Sequence, residues 1–236
     1  QVARSSILSM PEFILGQYVD VEEEFASIPE DGTPVQITVN ASHDWQATYV
    51  PEWINVSPAS GSAGKTSVSV SMQSNYDAYH YINTYIEFTS GDEKDRVTVL
   101  KDRPISTTAD VYDGIDSEEY RLTGVVTSIV NTTYGNWYLT DDTGSLYIYG
   151  TTLKGYYKMF SDFNIGVGDQ VTVQGPRKNY DGLIELTDAS VIDIKKSLFK
   201  TVFVDLVESK IPAEGCEFNL EFECDGDDVS VRIPEK

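Results

Sequence analysis

The residue types that most often carry catalysis are sparse in this 236-residue chain. Its two histidines, His43 and His80, have no histidine, cysteine or carboxylate at the spacing of metal ligands. No Gly-x-Ser-x-Gly sequence marks a nucleophilic serine. The acidic pairs at residues 22–23 and 141–142 lie in a charge run and in a predicted turn, where solvated surface is the simpler interpretation, and no full set of calcium ligands accompanies them. We therefore expect a noncatalytic protein with no cofactor and no metal.

One stretch, ASGSAGKT at residues 59–66, matches the loose phosphate-loop pattern with alanine in the first position. A phosphate loop needs a helix directly after it, because the amides at the helix N-terminus hold the phosphates. The following residues, through Met72, alternate polar and apolar side chains with a period of two, which predicts a strand. We expect no nucleotide binding here.

The formal net charge of −21 repels phosphate backbones and disfavours nucleic acid as a partner. With 40% hydrophobic and 11% aromatic residues, the composition is that of a globular protein. No apolar run is long enough to span a bilayer, and no signal peptide is visible. The chain opens on Gln1, which we interpret as a trimmed or mature N-terminus, so that any lipid anchor would lie outside this sequence.

Period-two alternation recurs along the chain, for example at residues 218–223, and predicts strands. Turn-forming clusters bound these strands, at residues 29–32, 90–93 and 141–144. The best helix candidate is a short one near residues 153–163, so we predict an all-β protein. Periodicity is lost after Lys101. We predict an N-terminal extension, a first module, a linker, a second module and a partial repeat, at residues 1–18, 19–101, 102–118, 119–194 and 195–236.

An internal repeat links the two ends of the chain. A constant offset of 183 residues carries Ile28-Pro29 onto Ile211-Pro212 and the apolar positions of residues 35–39 onto residues 218–222. The C-terminal stretch therefore looks like the opening half of a second copy of the first module. Its two cysteines, Cys216 and Cys224, would lie about 26 Å apart in one extended strand, so we expect free thiols.

Residues 44–64, DWQATYVPEWINVSPASGSAG, place Trp45 and Trp53 on a strand–turn–strand pattern that closes with a Ser-Pro-x-Ser-Gly turn. This arrangement resembles the BACON module, a small Ig-like β-sandwich of secreted and surface-anchored bacterial proteins that handle carbohydrate. The two tryptophans could stack on sugars, but we favour buried framework positions. A tyrosine cluster with His80 is a better candidate for an exposed binding surface than the tryptophans, but we favour an ordinary half-buried strand edge here too. The tyrosines are Tyr76, Tyr79, Tyr81 and Tyr85.

The sequence YLTDDTGSLYIYG, at residues 138–150, resembles bacterial OB-fold domains, which are five-stranded barrels. The resemblance implies strands that begin near Leu122, Asn136, Ser145, Gln170 and Leu183, with Gly124 permitting a sharp curl in the first.

OB-folds bind ligands on the face of their second and third strands, between two flanking loops. If the apolar residues Trp137, Leu139, Leu146 and Ile148 point inward, alternation turns three tyrosines outward. Two further tyrosines lie in the flanking loops, one beside a basic pair. The candidate binding residues are therefore Tyr134, Tyr138, Tyr147, Tyr149, Arg177, Lys178 and Tyr180. An ordinary tyrosine-rich strand surface is an equal alternative, because tyrosine favours strands.

These patterns leave three functions open. The first is a noncatalytic surface or secreted module that binds a glycan or a cell-surface protein, with a role in adhesion. The second is a structural spacer that presents another domain. The third is a nucleic-acid-binding OB domain, which is disfavoured because residues 118–194 hold 5 basic and 10 acidic side chains, a net charge of −5. The resemblance implies an extracellular or cell-envelope location.

Overall fold

The computed structural model describes residues 16–73, 84–204 and 220–224. The described chain divides into two compact units, one that ends at Lys101 and one that begins at Asp102. Within the described residues nearly all regular structure is β-strand, as the alternation predicted.

The first unit is a sandwich of two sheets. One sheet has the order β1-β3-β7-β5 and the other β2-β9-β8-β4-β6. The strands are β1 (Val19–Val21), β2 (Phe25–Ile28), β3 (Val35–Ala41), β4 (Trp45–Tyr49), β5 (Ile54–Ser57), β6 (Ser60–Gly61), β7 (Gly64–Met72), β8 (Thr84–Ser90) and β9 (Glu93–Lys101). Every second residue of β3 and β8 is buried, so the sequence alternation supplies the core between the sheets.

Both motif tryptophans belong to this core, which confirms the framework interpretation. Trp45 and Trp53 are buried, and the indole of Trp45 meets Phe88 edge to face with ring centroids 5.7 Å apart. Gly61 lies against the same indole, where a Cβ would come within 2.7 Å of Nε1. The phosphate-loop-like stretch is followed by β7, which confirms the predicted strand.

The second unit contains a closed five-stranded barrel. Its elements are β10 (Ile105–Ser106), α1 (Thr108–Tyr112), β11 (Glu119–Asn131), β12 (Asn136–Thr140), β13 (Ser145–Thr152), a 3-10 helix (Phe160–Phe163), β14 (Gln170–Tyr180) and β15 (Leu183–Lys195). The sheet order is β10-β11-β12-β13-β15-β14, and β11 also pairs with β14 to close the barrel. Gly124 of β11 packs tightly against β12, since a Cβ there would come within 2.4 Å of the Leu139 side chain. The predicted helix near residues 153–163 is reduced to the single 3-10 turn.

The inner face of the barrel follows the predicted alternation. Four side chains of β12 and β13 are fully buried in one cluster: Trp137, Leu139, Leu146 and Ile148. Because successive residues of a strand point to opposite faces, the tyrosines between them face outward.

The segment predicted as a linker is folded onto the barrel. Within residues 102–118, α1 begins with a capping box in which Thr107 and Asp110 exchange hydrogen bonds. Val111 is fully buried in the barrel core. The sequence did not predict a helix in this segment, because the helix is only five residues long and too short to show a helical period.

A third, two-stranded sheet pairs β16 (Phe199–Val204) with β17 (Leu220–Cys224) in antiparallel fashion. The 183-residue offset maps β1 and β3, which are also antiparallel, onto residues 202–204 and 218–224, so the strand positions agree with the predicted half-repeat. The register differs by two residues, because Val19 lies opposite Ala41 whereas Val202 lies opposite Phe222. Cys216 lies outside the described residues, so the free-thiol prediction stays a prediction.

Candidate functional site

The outward tyrosines of β12 and β13 form one continuous aromatic surface. Tyr138 and Tyr147 lie opposite each other, with ring centroids 5.0 Å apart and planes tilted by 41°. Tyr149 follows at 6.3 Å from the Tyr147 ring and is 52% exposed. We call these three residues the tyrosine surface. Tyr138 and Tyr147 are half-buried rather than fully exposed, since each ring covers part of the other.

A buried glutamate continues this surface across the sheet. Glu185 lies opposite Tyr147 on one side and opposite Lys178 on the other. It is only 3% exposed, and no hydrogen bond or ion pair within the described residues reaches its carboxylate. Burial raises its pKa, while the charge of Lys178 acts in the opposite direction. The sequence places Glu185 on the outer face of the barrel, because it stands between the inward residues Ile184 and Leu186. Alternation alone does not reveal that a residue on the outer face is buried.

The two predicted basic residues have different surroundings. Arg177 is 8% exposed, and its guanidinium donates to the backbone oxygens of Val111 at 2.6 Å and of Tyr112 at 3.2 Å and pairs with Asp116. It fastens the α1 segment to the barrel and does not reach the tyrosine surface. Lys178, the next residue, is exposed.

The predicted loop tyrosines flank the tyrosine surface. Tyr180 is exposed at the β14–β15 turn, and the ammonium of Lys178 lies 5.3 Å from its ring centroid. Tyr134 is exposed in the β11–β12 loop, where Asn131 accepts its backbone N–H and Thr151 donates to its carbonyl oxygen at 2.9 Å. The loop that carries Tyr134 is therefore anchored to β13.

A cleft of about 260 Å³ opens between this loop and β15. The described residues that line it are three tyrosines, two polar residues and a glycine: Tyr134, Tyr149, Tyr157, Asn136, Asp188 and Gly150. Asn136 accepts the backbone N–H of Gly150 at 3.0 Å, and its side chain also hydrogen-bonds Tyr147, so the cleft and the tyrosine surface share one support.

The β13–β15 ladder is interrupted beside the cleft. Tyr149 lies opposite Thr187 and Thr151 opposite Ala189, but Gly150 and Asp188 between them are unpaired in register and both have positive φ, +86° and +48°. A Cβ on Gly150 would come within 2.8 Å of Asp188 Oδ1. The sequence predictions missed Tyr157 and Asp188, because nothing in the strand pattern marks an interruption of a parallel pair.

Asp141, in the β12–β13 turn, has a structural role. Asp141 accepts hydrogen bonds from the backbone and hydroxyl of Thr108 at 2.7 and 2.9 Å and from Thr143. Although burial favours its neutral form, these bonds lower the pKa of Asp141 to about 2. Among the described residues no group of three or more histidine, cysteine or carboxylate side chains could hold a metal ion.

The sandwich carries a smaller aromatic surface. Tyr49 and Tyr85 have ring centroids 4.8 Å apart, and the guanidinium of Arg96 lies 3.9 Å above the Tyr85 ring. Arg96 is paired with Glu87 at 2.8 Å. The other members of the predicted cluster, Tyr76, Tyr79, His80 and Tyr81, lie outside the described residues.

Comparison with known families supports part of the sequence interpretation. Residues 43–100 match the family model described as "BACON: Putative binding domain, N-terminal". The matched residues lie within the sandwich and include both buried tryptophans, so this part of the chain is similar to a binding type of module. No curated protein matches the chain. Within the described residues, no helix is long and apolar enough to cross a membrane.

Several solved structures are similar over parts of the chain. The S. pombe Stn1–Ten1 complex matches at 18% identity and a TM-score of 0.27, over 41% of this chain and 78% of that one. The periplasmic chaperone SfaE matches at 13% identity and a TM-score of 0.30, over 74% and 100%. The YadV chaperone matches at 7% identity and a TM-score of 0.31, over 74% and 99%.

Proposed function

We propose that this protein is a noncatalytic binding module of a secreted or cell-surface protein, and that it binds a neutral glycan on the tyrosine surface of the barrel. The BACON match supports a binding role and, through the usual setting of that family, an extracellular or cell-envelope location. A lipid anchor elsewhere in the full protein would fit this location.

The paired, tilted tyrosine rings are the observation that carries the proposal. Their backing is rigid, since the residues behind them are fully buried in the barrel core. Aromatic faces presented on a fixed support can stack on the apolar face of a sugar ring without the entropy cost of ordering a loop.

The charges near the tyrosine surface favour a neutral ligand over a nucleic acid. A phosphate backbone needs a positive groove, and the predicted basic corner is reduced because Arg177 is buried against the α1 segment. Lys178 alone of that pair stays exposed, and it lies opposite the buried Glu185. The net charge of −5 over residues 118–194 acts in the same direction.

A glycan array and an oligonucleotide panel, both at low salt, test the proposal. We expect binding of a neutral glycan that Tyr138→Ala weakens at least tenfold, about 1.4 kcal/mol. Tyr138→Phe keeps the ring and should retain most of the affinity. Tyr49→Ala removes an exposed tyrosine from the sandwich and should have no effect. Tight, salt-sensitive oligonucleotide binding would reverse the assignment.

A structural spacer is the second candidate, and the mutual packing of Tyr138 and Tyr147 favours it, because cross-strand aromatic pairs also stabilise sheets. The spacer interpretation predicts that the panels find no ligand and that the folded protein keeps neighbouring domains apart.

A cell-surface protein as ligand would be captured in a direct pull-down that Tyr138→Ala abolishes.

A further inference from the structure

We propose that the cleft lined by Tyr134, Tyr149, Tyr157 and Asp188 binds a small alkylammonium group, such as the trimethylammonium head of choline. This goes beyond the glycan function, which rests on the tyrosine surface. The two sites share Tyr149 but use different chemistry.

The walls of the cleft are aromatic and open. Tyr134, Tyr149 and Tyr157 are 48%, 52% and 58% exposed and are the three aromatic residues that line it. The negative face of an aromatic ring attracts a cation within about 6 Å of its centroid, and several rings around one cavity form the cages that hold quaternary ammonium groups. Tyr134 already shows this preference, since the ammonium of Lys158 lies 5.4 Å from its ring centroid.

The charge of the lining is complementary to a cation. Asp188 is the charged member of the described lining, and the Lys158 ammonium beside the Tyr134 ring is a neighbouring cation that a bound alkylammonium group would displace. Its Oδ2 accepts a long hydrogen bond of 3.4 Å from the Tyr157 hydroxyl, which leaves most of its hydrogen-bonding capacity unused. Burial raises the pKa of Asp188, against the opposing effects of Tyr157 and Lys178. The residue is exposed, so its carboxylate is accessible to a cation that enters the cleft.

The size and backbone of the cleft suit a head group. Its volume of about 260 Å³ lies below the roughly 300–1,000 Å³ of pockets that enclose drug-sized ligands. Gly150 and Asp188 both have positive φ and are skipped in the β13–β15 ladder, and the Asp188 carboxylate accepts a hydrogen bond from the Tyr157 hydroxyl at the cleft.

Two ligands of the same shape separate charge from size. Choline and 3,3-dimethylbutan-1-ol differ in one atom, which carries the positive charge in choline. Titration of the full chain by calorimetry should show saturable choline binding at least about tenfold tighter than binding of the neutral alcohol. Equal affinities, or no saturable choline binding, would overturn the proposal.

A matched pair of substitutions tests the carboxylate. Asp188→Asn should remove the preference for choline, whereas Asp181→Asn should leave it unchanged. Both aspartates are exposed and have nearly the same backbone, with φ of +48° and +50°, a region that asparagine adopts readily. The two variants therefore match in charge and in strain and differ in position. Equal effects of the two would mean that overall charge, not the cleft, attracts choline.

The ring contribution is tested at Tyr157, which is not part of the tyrosine surface. Tyr157→Leu should weaken choline binding several-fold, and Tyr157→Phe should retain it. If neither substitution changes the affinity for choline, the proposal that aromatic rings hold the ligand is wrong.

Parallel titrations with phosphocholine and with N-trimethyl-lysine distinguish a lipid-type from a protein-type source of the head group. Because Tyr138→Ala should not affect choline binding, failure of the glycan proposal and failure of this one are separable.

Discussion

The sandwich and the barrel both present paired tyrosines beside charged residues, but they differ in what those charges do. In the sandwich, Arg96 covers the Tyr85 ring and is paired with Glu87. In the barrel, Glu185 and Asp188 lie beside the tyrosines without a salt bridge in the described part of the chain. A satisfied set of polar groups gains little from a ligand, whereas a buried carboxylate without a hydrogen bond in the described residues, such as that of Glu185, gains from one. The barrel surface is therefore the better candidate for binding.

The largest effect on stability should come from removing a buried aromatic side chain beneath the tyrosine surface, compared with removing an exposed one from the surface itself. Trp137→Ala removes a fully buried ring and its hydrogen bond to Thr151 and should lower the free energy of unfolding by about 3–5 kcal/mol. Tyr149→Ala should change it by no more than about 0.5 kcal/mol. Urea denaturation followed by far-UV circular dichroism measures both. Similar losses in the two variants would mean that the tyrosine surface is part of the core.

The two arginines give a direct comparison between the units. Arg177→Gln should lower the free energy of unfolding by about 2–3 kcal/mol. The substitution removes the donor for two backbone oxygens, those of Val111 and Tyr112. Arg96→Gln removes a partly exposed ion pair and a cation–π contact and should cost about 1 kcal/mol. Thermal or chemical unfolding tests the order. A larger loss at Arg96 would mean that the sandwich surface, not the α1 segment, depends on its charge.

The smallest effect concerns pH. The pKa of Asp141 is lowered to about 2 from an ordinary 3.8, so its contribution to stability is full above about pH 4 and is lost as the pH falls toward 2. Allowing for partial solvent screening, we expect a loss of about 1–2 kcal/mol over that window. Asp141→Asn should remove most of this dependence, and Asp142→Asn, at the exposed neighbouring position, should keep it. An unchanged profile in Asp141→Asn would show that other carboxylates cause the acid sensitivity.

Local patterns predicted much of the fold. The alternation of Trp137 and Leu139 with Tyr138 placed the barrel core and the outward tyrosines on the correct faces. The period-two pattern that ends at Met72 correctly predicted a strand where a phosphate loop requires a helix. Within residues 102–118, which the sequence predicted to be a linker, Thr108 and Val111 are buried. The sequence could not reveal this, because the segment is held by hydrogen bonds to Arg177 and Asp141, which are distant in the sequence. The binding role of the seven candidate residues stays a prediction, although Arg177 is clearly placed elsewhere.

By itself, the sequence determined which side chains face inward and where the turns lie, because a strand's period of two and the conformational needs of turns act over a few residues. Only the tertiary structure decided which outward residues meet. The parallel pairing of β13 with β15 brings Tyr147 beside Glu185 and opens the ladder at Gly150 and Asp188. Strand order and register across a closed barrel depend on packing between distant segments, and no local pattern encodes them.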